Sequence, residues 1–103
     1  MVTIDEIKVK LKRDEFILSR HAEDEKQADE IVYFEIDEAF KNLEIIENYP
    51  GDRRGSSCLV LGFTNEHKPL HFVLGNLEKE KILIITMYRP NVEEWINFRL
   101  RRK

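Results

Sequence analysis

Three histidines, one cysteine and two clusters of cations hold most of the chemistry open to this chain of 103 residues. His21 and Glu25 stand four residues apart in a stretch of helical character, so one helical turn brings their side chains together. A carboxylate beside an imidazole raises its pKa and fixes its tautomer, which suits a general acid or base; the same spacing also serves an ordinary solvated ion pair. His71 lies inside a β-prone run and reads as a half-buried packing residue unless folding sets another ionisable group beside it. His67 and His71 are also four apart, but in an extended strand that separation is about 13 Å, too far to share one ion. With Cys58 the only cysteine, no metal site and no cofactor is expected. Arg53-Arg54-Gly55-Ser56-Ser57 offers guanidinium groups, backbone N–H groups and hydroxyls that suit a phosphate, or else a solvated turn. Arg89, Arg99, Arg101, Arg102 and Lys103 form a second cationic cluster, with a soluble basic tail as its plain alternative. No P-loop or dinucleotide fingerprint occurs. Cys58 is expected to be structural and Trp95 to pack in the core.

The elements that must position these groups follow from periodicity. Thr3 to Arg13 predicts an amphipathic helix with Ile4, Ile7 and Leu11 on one stripe, and Thr3 with Glu6 resembles a capping box. Phe16-Ile17-Leu18 is a short apolar bridge to a second helix, Ser19 to Asp29, whose only apolar side chains are alanines. A helix so polar must lie on the surface or line a polar cleft. A third helix is expected over Glu35 to Leu43, then a brief strand within Leu43 to Tyr49 and a turn at Pro50-Gly51-Asp52. Ser57–Thr64, Pro69–Leu77 and Ile82–Tyr88 read as strands joined by hairpin loops. Pro90 ends the last strand, and Asn91 with Glu94 predicts a closing helix carrying Val92, Trp95 and Phe98 on one side. Alternation assigns Leu59, Leu61 and Phe63, with Leu70, Phe72 and Leu74, to the helix-packed core. Cys58, Val60, Gly62, His71, Val73 and Gly75 then form an open opposite face, a candidate shallow binding surface.

The predicted class is α+β: N-terminal helices, a three- to four-stranded antiparallel sheet and a short C-terminal helix, in a single domain over residues 1–103. The longest strongly apolar run, Ile82 to Thr86, falls far short of the roughly 20 residues of a membrane span. The first residues lack the basic-then-apolar pattern of a secretory signal, and a lone cysteine suits a reducing, cytoplasmic setting. Net charge is −3, against a general nucleic-acid sponge. Residues 1–50 carry 7 Lys/Arg against 14 Asp/Glu, and residues 51–103 carry 10 against 6, so the two halves differ in sign. That split presents either a local positive face or simply solvated acidic helices.

Several segments, in order, resemble the domain-of-unknown-function family 4258. They are Phe16 to Ala22 with its Ser19-Arg20-His21-Ala22 element, Leu43 to Pro50, Cys58-Leu59-Val60-Leu61-Gly62, Pro69-Leu70-His71, Ile85-Thr86-Met87-Tyr88-Arg89-Pro90 and Trp95. The resemblance implies a fold similar to the barnase/RelE-like toxin nucleases, which cleave RNA without metal and are often encoded beside a small antitoxin. Carried over by position, the family's helix histidine falls on His21, its strand histidine on His71 and its last-strand tyrosine on Tyr88. The expected function is a metal-independent endoribonuclease of a toxin–antitoxin-like system, with RNA as substrate and a small antitoxin as partner. Catalysis would fall to His21, polarised by Glu25, with His71 and Tyr88; Arg53, Arg54, Arg89 and Arg99 would contact phosphate. Many relatives carry arginines after the helix histidine, where this chain has Glu25, Ala28 and Asp29. Carboxylates there oppose a phosphate. The alternative is therefore a catalytically degenerate domain that binds a partner protein or a second copy of itself through its acidic helix.

Overall fold

The computed structural model describes residues 2–51 and 55–103. The chain is a mixed α+β fold of three helices, a five-stranded sheet and a C-terminal two-stranded hairpin. Helix α1 (Ile4–Lys12) starts where the Thr3 hydroxyl accepts the Glu6 N–H, and buries Ile7 and Leu11. Phe16–Leu18 is not a mere bridge but strand β1, paired parallel with β5 (Ile82–Tyr88). Helix α2 (Arg20–Ala28) and α3 (Tyr33–Phe40) follow. Then come β2 (Glu44–Tyr49), β3 (Ser57–Phe63), β4 (Pro69–Gly75) and β5, each antiparallel to its neighbour, in the order β1-β5-β4-β3-β2. The sheet is thus mixed and has five strands, where an all-antiparallel sheet of three or four was expected. Among the described residues no helix is long and apolar enough to cross a membrane.

The polarity of α2 has a structural cause. Strand β1 covers only the first half of β5, which leaves the N–H groups of Met87 and Arg89 on an open sheet edge. Helix α2 runs along that edge: Glu25 accepts the Met87 N–H at 3.1 Å and Asp29 accepts the Arg89 N–H at 2.8 Å. Four helical residues rise about 6 Å and two strand residues about 6.7 Å, so carboxylates at i and i+4 match N–H groups at j and j+2. Ser19 caps the helix through the Ala22 N–H and donates to the Ile85 carbonyl, while Ala22 alone enters the core. Glu25 and Asp29 therefore substitute for a strand, removing an edge that would otherwise pair with other chains.

One assignment from alternation changes, and one from a capping pattern. The helix-packed face of β3 is Cys58, Val60 and Gly62, not Leu59, Leu61 and Phe63. Val60 pairs with Phe72 and Met87 in one row, and Leu61 with His71 and Tyr88 in the next. A Cβ at Gly62 would lie 2.5 Å from the Ala39 carbonyl oxygen, which shows how closely α3 crosses the strand there. Both faces of β3 are buried, so its alternation had no polar side to mark.

The second change is the C-terminus, which is no helix. Asn91 holds the Glu93 N–H in a turn, and the chain then forms β6 (Trp95–Ile96) and β7 (Leu100–Arg101). Asn97 and Phe98 have φ of 52° and 62°, left-handed values that a right-handed helix excludes and a tight hairpin turn requires. The third helix also begins two residues early, at Tyr33, because the Glu35 carboxylate accepts the Val32 N–H.

Candidate active site on the outer face of the sheet

The face of the sheet away from the helices is not open. The β6–β7 hairpin folds across it, and His71, on β4, lies beneath Trp95 with no exposed surface. The rings of His71 and Trp95 meet edge-on at 4.5 Å, and the Tyr88 ring also meets His71 edge-on, at 5.3 Å. His71 Nε2 lies 2.7 Å from the Phe98 carbonyl oxygen and Nδ1 3.1 Å from the Tyr88 hydroxyl. A carbonyl only accepts, so Nε2 carries the hydrogen. The Nδ1 lone pair of the neutral ring then accepts from Tyr88. Phe98 presents its carbonyl from a left-handed conformation that an aromatic residue adopts at a cost of about 1–2 kcal/mol.

Beside this pair lie three groups that sequence reasoning did not bring to the site. Arg101 forms a two-pronged ion pair with Glu47, at 2.8 and 3.1 Å, and its guanidinium covers the Trp95 ring at 4.8 Å. The Tyr49 hydroxyl donates to Glu47. Arg101 holds the Glu47 carboxyl below its ordinary range. Burial pushes the Tyr88 phenol up to about 12, with smaller influences from Arg101, Tyr49, Glu47 and Glu25. Glu47 and Tyr49 share a face at the i, i+2 spacing of a strand, a signal present in the sequence. Arg101 belongs to the second cationic cluster, for which a soluble tail is the alternative, and no local pattern marks the short strand β7 that carries it.

The other expected site residues are distributed as follows. His21 sits on α2 with its side chain 67% exposed and Nε2 3.2 Å from Glu25; no hydrogen bond or ring contact joins it to His71 among the described residues. Glu25 is split between His21 and the Met87 N–H, and burial raises its pKa. Arg89 directs its donors to Glu35 and to the Asp29 and Glu30 carbonyls. Arg99 grips Glu44 through Nε at 2.9 and 3.1 Å. Glu44, Leu61, His71 and Tyr88 form one cross-strand row, which puts Arg99's partner three strands from Tyr88, about 14 Å away. Arg53 and Arg54 lie outside the described residues. Cys58 is fully buried and its thiol is pushed up to about 11, as a structural residue's would be. Among the described residues no three His, Cys, Asp or Glu side chains are grouped to hold a metal ion.

Residues 18–89 match the family described as a domain of unknown function, DUF4258. The chain belongs to that family. The matched span of this DUF4258 domain runs from the end of β1 through Arg89 and so contains His21, Glu25, Glu47, Tyr49, His71 and Tyr88; the hairpin with Trp95 and Arg101 lies beyond it. No curated protein and no solved structure matches the chain.

Burial of His71 carries a pH signature. Desolvation holds its pKa below the usual 6.5, against the raising influence of the Phe98 carbonyl and Glu47. The unfolded chain therefore binds this proton more readily. The stabilisation is complete above about 6.5 and is lost as pH falls from there through the folded value. Glu35 and Glu47, both lowered by arginine partners, add acid sensitivity only below their ordinary 4.5; Glu25, raised, works in the opposite sense above it. The denaturation midpoint should drop between neutral pH and about pH 5, and drop less in His71→Gln. Equal pH slopes in the two proteins would rule out a buried neutral imidazole.

Proposed function

We propose that this domain is a toxin-type endoribonuclease that cleaves RNA without a metal ion, with the Tyr88–His71 pair as its base. The observation that carries the reading is the Nδ1 lone pair of a neutral, buried imidazole aimed at the hydroxyl of a half-buried tyrosine, with the tautomer fixed by Phe98. This is the geometry of an oriented proton acceptor. The Tyr88 oxygen takes the ribose 2′-OH proton as its own passes to His71 Nδ1. The 2′-oxygen attacks phosphorus, the P–O5′ bond breaks, and His21, held 3.2 Å from Glu25, protonates the departing O5′. The products are a 2′,3′-cyclic phosphate and a 5′-hydroxyl end. Arg101, 62% exposed, offsets charge on the phosphorane. A toxin of this kind acts on cytoplasmic RNA and is restrained by a small antitoxin.

The test is incubation of the purified domain with a single-stranded RNA in EDTA. Fragments ending in cyclic phosphate are expected, with about 10- to 100-fold slower cleavage by His21→Ala. Intact RNA alongside well-folded protein would overturn the proposal.

A second reading, a catalytically degenerate protein-binding module, is favoured by the occupation of Arg89 and Arg99 with internal carboxylates and by the anionic Glu25 and Asp29 on α2. Stable association with a partner protein and no cleavage would select it.

A further inference from the structure

Residues 32–34 expose three consecutive apolar side chains at the start of α3: Val32 at 43%, Tyr33 at 61% and Phe34 at 62%. The buried stripe of that helix is formed by Ile36, Ala39 and Phe40, so these three are not needed by the core. Lys26 covers the Tyr33 ring at 4.3 Å; among the described residues no cation covers the Phe34 ring, which lines a cleft of about 650 Å³. Val92, itself 60% exposed, lines the same cleft. Four carboxylates, those of Asp29, Glu30, Glu35 and Glu66, line the same cleft against two cations, Lys68 and Arg89. The Arg89 charge is already matched by Glu35. The cleft therefore combines a bare aromatic wall with a net negative rim.

We propose that this cleft docks a short segment of a partner protein in which an Arg or Lys flanks a bulky apolar side chain. The apolar residue packs between Phe34 and Val92, and the cation meets Glu30 and Glu66. Nucleic acid is the wrong occupant, because its phosphates would face carboxylates with Lys68 as the main counter-charge. The proposal gives the partner of the second reading above a surface and a chemistry, yet stands whether or not RNA is cleaved. The site also adjoins the active face. Phe98 and Arg89 line the cleft, and Phe98 supplies the carbonyl that holds His71. A docked segment is thus placed to sense or constrain the hairpin.

The experiment titrates the intact domain, labelled with 15N, with a synthetic Lys-Leu-Arg-Leu-Lys peptide, using Glu-Leu-Glu-Leu-Glu and a single-stranded RNA as comparisons. The basic peptide should move the amides of Glu30, Phe34 and Val92. Its affinity should fall about tenfold in Phe34→Ala and again in Glu30→Lys with Glu66→Lys. Val92→Ser provides an independent variant should Phe34→Ala misfold. No shift at these amides with about 2 mM basic peptide overturns the proposal. So do equal shifts with the acidic peptide, the same shifts with RNA, or shifts on protein dilution alone, which would mark a contact between copies. RNA cleavage is measured separately, so failure here leaves the nuclease reading to its own test.

Discussion

Replacement of Arg89 by methionine is expected to lower the unfolding free energy by about 2–4 kcal/mol, measured by denaturant titration. Arg89 closes the gap where β5 leaves the sheet. Its Nη1 and Nη2 donate to the two oxygens of Glu35 at 3.1 and 2.9 Å, Nε donates to the Asp29 carbonyl, and Nη2 also reaches the Glu30 carbonyl. One side chain thus satisfies carbonyls at the C-terminal end of α2 and holds the carboxylate that accepts from Val32 at the start of α3. Methionine fills much of the volume but leaves Glu35, only 10% exposed, without its cation. The part of Arg89 open to water moderates the loss, which is why the expected value stays below the full cost of a buried unpaired charge. Lysine keeps the charge but not the fork, and should recover less than half of the loss. An Arg89→Met protein as stable as the wild type would contradict the clip.

Tyr88→Phe should slow RNA cleavage about 100-fold while the fold is retained. The phenyl ring keeps the edge-on contact with His71, and only the hydroxyl between His71 Nδ1 and solvent is removed. The stability change is then limited to one hydrogen bond, about 1 kcal/mol. Because burial holds the phenol near 12, tyrosine carries its proton at neutral pH and gives it up only as another arrives. That is the behaviour a relay needs and a free phenolate nucleophile would not show. Unchanged cleavage by Tyr88→Phe would remove the pair from the mechanism.

How much of this was legible in the sequence depended on whether a residue's role was local. The caps at Thr3 and Ser19 and the bounds of β5 were readable, since each rests on neighbours within a few positions. The parallel strand β1 was not. Three apolar residues carry no period, and its partner lies more than sixty residues away. The face of β3 was hidden because Leu59 and Leu61 on its outer side are buried as deeply as Cys58 and Val60 on its helix side. The fate of α2 was posed correctly as surface or polar cleft, but its carboxylates meet backbone N–H groups of β5, which no side-chain pattern can announce. At the site, His71 was read as a packing histidine that matters only with an ionisable neighbour, and Tyr88 is that neighbour. Arg89 and Arg99 looked free because their carboxylate partners are distant in sequence.

Long-range proton–nitrogen NMR correlation on the ring of His71 reads the central geometry without reference to any substrate. Near neutral pH the ring should be uncharged, with the hydrogen on Nε2 toward Phe98 and Nδ1 bare toward Tyr88. A doubly protonated ring, or a hydrogen on Nδ1, would contradict the account, because Tyr88 would then have no acceptor behind it.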